Sequence, residues 1–84
     1  MKNKILVNVY VPQLLSEYNV YIPVNERICK IKELFIKSVF ELSDSSFDLT
    51  VNHSIIESET GNIYSNETII RETTIKNGSK LILF

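Results

Sequence analysis

One cysteine and one histidine limit the chemistry open to this chain. Cys29 has no second thiol to pair with, so neither a disulfide within the chain nor a multi-cysteine metal site can form. A nucleophilic thiol needs a base held beside it, and no histidine motif neighbours Cys29. His53 has Asp48, Glu57, Glu59, Glu67 and Glu72 as nearby carboxylates in sequence. None of them falls at a spacing such as His-Glu-x-x-His, which sets ligands on one face of an element. They are expected to be solvated residues of loops and strand ends. Asn52-His53-Ser54, Asn66-Glu67-Thr68 and Asn77-Gly78-Ser79 match the glycosylation acceptor pattern, which is short and carries meaning only in a secreted chain. Asn77-Gly78 lacks the glycine run and the following helix that cradle a phosphate, and reads as a turn. No catalytic residue, metal ligand or cofactor site is assigned, and the chain is not expected to be an enzyme.

Size and charge point the same way. A chain of 84 residues supports one core and is expected to be a single domain over 1–84. Such a core leaves little room for the deep, dry cavity that small-molecule chemistry uses. Hydrophobic residues make up 44% and charged residues 23%, as in folded soluble domains. The formal net charge is −1, with no basic run to neutralise a row of phosphates, so nucleic acid is not an expected partner. Lys2 and Lys4 before Ile5 to Val11 have the outline of a signal peptide, but Asn8 interrupts the apolar run and no small-residue cleavage site follows. No apolar stretch approaches the roughly 20 residues that cross a bilayer, so direct membrane insertion is not expected. The lone cysteine fits a reducing cytoplasm.

The elements that position these residues follow from hydrophobic period. Ile5, Val7, Val9 and Val11 alternate with Leu6, Asn8 and Tyr10, a strand with the valines on one face. Pro12 limits ladder pairing, Gln13 to Glu17 makes the connection, and Tyr18 to Ile22 is a second strand. Val20 and Ile22 would join the valine face, with Asn19 and Tyr21 outside. Pro23 ends this strand, and Asn25 is the expected N-cap of a helix, with Val24 and Cys29 as a hydrophobic staple across it. Ile28, Ile31, Leu34, Phe35, Val39 and Leu42 recur at three- and four-residue spacing, which predicts an apolar helical stripe. Glu26 with Lys30 and Glu33 with Lys37 sit at i,i+4 on its polar side.

After the Ser43-Asp44-Ser45-Ser46 loop, Phe47, Leu49 and Val51 alternate as a third strand, and Ile55-Ile56-Glu57 either continues it or forms another. Glu59-Thr60-Gly61-Asn62 predicts a turn in which Gly61 takes a positive φ. Thr68 to Ile75 carries Ile69, Ile70 and Ile75 without clean alternation. Asn77-Gly78 turns the chain into a last strand, with Leu81 and Leu83 toward the core and Ile82 and Phe84 on the opposite side.

A hairpin, one amphipathic helix and several short strands place the helix across one face of a mixed sheet of four to five strands. This α+β order resembles ubiquitin, and the expected fold is the ubiquitin-like β-grasp. A closer likeness is carried by Ile5-Leu6-Val7-Asn8-Val9-Tyr10-Val11-Pro12, Tyr18-Asn19-Val20-Tyr21-Ile22-Pro23-Val24-Asn25 and Ile75-Lys76-Asn77-Gly78-Ser79-Lys80-Leu81. These segments resemble the YukD/EsaB family of Gram-positive bacteria, ubiquitin-like proteins encoded with type VII (ESX/WXG) secretion systems. The resemblance implies an accessory or regulatory role at the cytoplasmic side of a secretion machine, with a component of that apparatus as partner.

With the helix on one face, the other face is left to Leu6, Tyr10, Tyr21, Ile82 and Phe84, the candidate protein-binding residues. Two other readings stand beside this one. A ubiquitin-like modifier or sulfur carrier would need a Gly-Gly end, whereas this sequence closes on Phe84 and its only glycines are Gly61 and Gly78. A structural module would pair through the apolar face as a homodimer.

Overall fold

The computed structural model describes residues 3–44 and 53–84. The predicted strand Phe47 to Val51 lies outside them.

Strand β1 (Lys4–Val11) buries Val7, Val9 and Val11 completely, as the alternation requires. A short 3-10 turn at Pro12–Leu14 reverses the chain, and Leu15 closes it at φ 50, in the left-handed region. Strand β2 (Ser16–Pro23) returns antiparallel, with Ile5 opposite Ile22 and Val9 opposite Tyr18. Helix α1 (Ile28–Leu42) follows, then the three-residue β3 (Ile55–Glu57), a 3-10 turn at Ile70–Glu72 and β4 (Lys80–Leu83). The four strands are ordered β2-β1-β4-β3, with β1 and β4 parallel at the centre. A parallel central pair needs a long crossover, and α1 lies within that crossover. Gly78 at φ 90 and Asn77 start β4 beside β1: the Gly78 amide donates to the Leu6 carbonyl, and Asn77 Oδ1 accepts from the Leu6 amide.

One face of this sheet meets the helix. Ile28, Ile31, Phe35 and Val39 are buried on α1, against Val7, Val9, Val11, Ile22, Leu81 and Leu83 of the strands. Leu34, Ile36 and Phe40 pack partly against the same cluster. Leu42, expected on the stripe, is exposed, because it sits in the last turn of the helix, past the buried Val39. On the polar side the ion pair is Lys30 with Glu33 at i,i+3, not the expected i,i+4 pairs.

The helix also starts later than Asn25. Its N-cap is Arg27, with no side-chain cap bond. The reason is a long-range one. Residues 24–27 turn and are pinned to the returning chain: the Ile70 amide donates to Glu26 O, the Arg71 amide to Val24 O, and Arg27 bridges Ile69. The first free helical amides, of Ile28 and Cys29, then donate to the carbonyls of Thr68 and Asn66. Asn25 Oδ1 accepts from Arg71 instead of capping. Cys29 is therefore the second helical residue, and the expected Val24–Cys29 staple geometry does not arise.

Two predicted solvated residues are buried. His53 is buried beside the sheet, and its carbonyl accepts from Lys32 Nζ at 3.3 Å. Glu57 occupies the inner face of β3 and is 1% exposed. Its Oε1 accepts from Tyr64 Oη at 2.8 Å, Thr74 Oγ1 at 2.6 Å and Thr60 Oγ1 at 3.3 Å. A buried carboxylate is tolerable when donors meet it, and here three hydroxyls converge on Oε1. Glu57 main-chain groups bond Asn62 O and the Gly61 amide, so the connection from β3 toward β4 is wrapped around this one residue. Gly61 takes the expected positive φ, 72°.

Candidate protein-binding face

Paired residues in a sheet point to the same side, so the registers define the face turned away from the helix. Leu6 lies opposite Tyr21. Tyr10 lies opposite Glu17 on β2 and Ile82 on β4, and Ile82 lies opposite Ile56 on β3. Phe84 follows β4 and exchanges both main-chain hydrogen bonds with Ser54. All five sequence candidates thus occupy one side. Tyr21 is 56% exposed and Phe84 43%, while Leu6, Tyr10 and Ile82 are half-buried among their neighbours.

Between the two ends of the face runs a polar row. Asn8 pairs with Asn19 on one side and Lys80 on the other, and Asn8 Nδ2 donates to Asn19 Oδ1 at 3.2 Å. Asn8 Oδ1 itself is buried with no hydrogen-bond partner among the described residues. Lys80 Nζ lies 3.9 Å from Glu17 Oε2, both about half exposed, a pair worth little in stability. The register therefore sets Leu6 and Tyr21 apart from Tyr10, Ile82 and Phe84.

On the larger side the sequence reading missed two residues. Ile56 extends the Tyr10–Ile82 row, and Ile63, 62% exposed, bridges Ile56 across the edge of β3. The resulting row from Tyr10 through Ile82 and Ile56 to Ile63, with Phe84 beside it, is an apolar strip on the sheet side that faces away from α1. A three-residue strand gives too short an alternation to assign Ile56 to a face, and nothing local ties Ile63 to it. The strip is suited to burying another protein's apolar side chains, with the aromatic rings adding area at low entropic cost. Among the described residues no group of histidine, cysteine and carboxylates is arranged to hold a metal ion. No helix among them is long and apolar enough to cross a membrane.

No protein-family model and no curated protein sequence matches the chain. Solved structures do. The ubiquitin-like domain of the Mycobacterium tuberculosis type VII secretion system protein EccD1 superposes with a TM-score of 0.74 at 11% identity, covering 95% of this chain and 96% of that one. The fold is the ubiquitin-like β-grasp. A chain of the MycP5-free ESX-5 inner membrane complex matches with a TM-score of 0.72 at 12% identity. The match covers 98% of this chain but only 21% of that one. A chain of a toluene 4-monooxygenase HD complex with the inhibitor 4-bromobenzoate reaches a TM-score of 0.76 at 9% identity, covering 95% of each. Neighbours this different in setting share an architecture, and function resides in what each grafts onto it.

Proposed function

We propose that this β-grasp domain is a non-catalytic accessory or regulatory protein of a Gram-positive type VII secretion system, related to the YukD/EsaB family. It acts in the cytoplasm by binding a protein component of the apparatus through the open sheet face. The observation that carries the reading is the strip of Tyr10, Ile82, Ile56, Ile63 and Phe84 on the side away from α1, covered by no helix among the described residues, with Leu6 and Tyr21 beyond the polar row. Apolar and aromatic side chains collected on one uncovered face suit a protein partner better than a small molecule, for which no pocket is formed among the described residues. The segmental likeness to YukD/EsaB supports the choice of system, as does the shared fold of the EccD1 domain.

The test is a pull-down from cells that carry such a system, comparing the wild-type chain with a Tyr21→Ala, Phe84→Ala double variant. Recovery of a type VII component by the wild type and its loss from the variant supports the reading. Equal recovery by both excludes this face.

A further inference from the structure

The two edges of the sheet are treated differently. On β3 the outward Glu57 amide donates to Asn62 O, and Ile63 bridges Ile56, so that edge is covered by the chain's own loop. On β2 no such cover is present among the described residues.

Which β2 groups face outward follows from the ladder. The Val24 amide donates to Asn3 O, and the Lys4–Pro23, Ile5–Ile22 register places Asn3 and Val24 directly opposite each other. Hydrogen-bonded pairs alternate along an antiparallel ladder, so residues 16, 18, 20 and 22 bond β1. The opposite edge of β1 agrees: Asn8 donates to Ser79 O and Leu6 O accepts from Gly78, so its even-numbered residues bond toward β4. The amides and carbonyls of Glu17, Asn19 and Tyr21 are therefore left pointing away from the sheet. Pro23 comes next in this outward set and has no amide to satisfy. Such an edge is a template for another strand, and between Glu17 and Pro23 β2 carries no lysine, proline or bulge to protect it.

We propose that β2 pairs with β2 of a second copy of this chain, antiparallel about a two-fold axis at Asn19, to make one continuous sheet across a homodimer. This register suits the strand's own side chains. Asn19 faces Asn19 of the second copy, where two amides can bond each other. Glu17 faces the hydroxyl-bearing Tyr21 of the second copy, so the strand's only charge does not meet its like. On the inner face Tyr18 meets Val20, an aromatic against a β-branched residue. Each of the facing pairs at 17, 19 and 21 exchanges both main-chain bonds, using every donor the edge offers. The pairing stops where the donors stop, with Pro23 opposite Leu15 of the second copy. That contact gives Leu15, 81% exposed at the hairpin tip, an apolar surface to lie against.

Sedimentation velocity on the full chain across a range of concentrations tests this. Wild type is expected to show a reversible monomer–dimer equilibrium. Asn19→Lys sets two ammonium groups across the axis and is expected to weaken the dimer about tenfold or more, as is Asn19→Glu for carboxylates. Because Asn19 is exposed, both variants are expected to keep the wild-type unfolding midpoint when all are compared at a dilution where the wild type too is monomeric. Mixing them restores dimer as a heterodimer, since Lys then faces Glu. Phe84→Ala, on the open face away from this edge, leaves the dimer intact, which separates this proposal from partner binding through that face. A wild-type chain that stays monomeric throughout overturns the proposal, as does one that is monomeric but binds an extended peptide along β2. So does a dimer that Phe84→Ala abolishes, or a mixture of Asn19→Lys and Asn19→Glu that associates no better than either alone.

Discussion

Removing the Tyr64 hydroxyl is expected to destabilise the domain out of proportion to the size of the change. Tyr64→Phe deletes one oxygen, but that oxygen donates to Glu57 Oε1 at 2.8 Å and accepts from the Thr74 amide at 3.5 Å. The 3.0 Å approach of Tyr64 Oη to Thr74 Oγ1 adds no further bond, because each hydroxyl has one proton and each gives it to Glu57. A hydrogen bond to a charged group contributes about 1.5–3 kcal/mol, and the long amide contact adds little. Since Thr74 and Thr60 still serve Oε1, Tyr64→Phe should cost about 1–2 kcal/mol. Glu57→Ala removes the acceptor, leaves the three hydroxyls it bonded without it and opens a void on the inner face. It should cost about 3–4 kcal/mol, a large part of the 5–15 kcal/mol that holds a typical domain together. Urea-induced unfolding followed by far-ultraviolet circular dichroism measures each value, with an unchanged slope showing that the folded state is intact. The double variant is the decisive sample. Once Glu57 is gone, Tyr64→Phe has little left to remove, so the two costs should fall short of additive by about 1 kcal/mol or more. Full additivity, or a Tyr64→Phe cost near zero, would refute the view that Glu57 organises the β3–β4 connection.

Other substitutions separate the remaining parts of the account. Phe35→Ala empties the centre of the helix-on-sheet contact and should cost about 3–5 kcal/mol by the same urea assay. Leu15→Gly relieves a left-handed leucine that packs against almost nothing, and should raise the stability of the dilute chain by about 1 kcal/mol. Gly78→Ala does the reverse: φ is 90° and a new Cβ meets nothing within 4 Å, so a loss of about 1–2 kcal/mol would come from the backbone alone. Tyr21→Ala with Phe84→Ala should cost about 1–2 kcal/mol each, since half of each ring is covered, and an unchanged far-ultraviolet circular dichroism spectrum shows that lost binding in that variant reports contact and not unfolding.

What the sequence made legible was whatever its period could carry. The valines of β1, Ile22 on β2, the Ile28, Ile31, Phe35 and Val39 stripe and the inward Leu81 and Leu83 all follow from spacings of two or of three and four, and all are buried. Turn chemistry at Gly61 and Gly78 needed only a residue free to take positive φ. Most of the misreadings have a different cause, which is long-range pairing. Asn25 has every local mark of an N-cap, yet the Ile28 amide, which it would have served at N3, is taken by the Thr68 carbonyl. Glu57 was read as solvated because a carboxylate in a short strand gives no local sign of three hydroxyl donors, one of them 17 residues away. Alternation alone sets Leu6, Tyr10, Tyr21, Ile82 and Phe84 on the side away from α1. Its polar divide at Asn8, Asn19 and Lys80, and its extension to Ile56 and Ile63, depended on which strands lie side by side, and that information resides in the register.

The central claim is that the sheet side opposite α1 is where a protein partner docks. Two-dimensional amide NMR of the isotope-labelled chain, titrated with the purified cytoplasmic part of the secretion component recovered in the pull-down, tests it most directly. The account predicts that the largest changes fall on Leu6, Tyr10, Tyr21, Ile56, Ile63, Ile82 and Phe84. Changes centred on Lys30, Glu33, Lys37 and Glu41 along the outer side of the helix, with those residues unmoved, would contradict it.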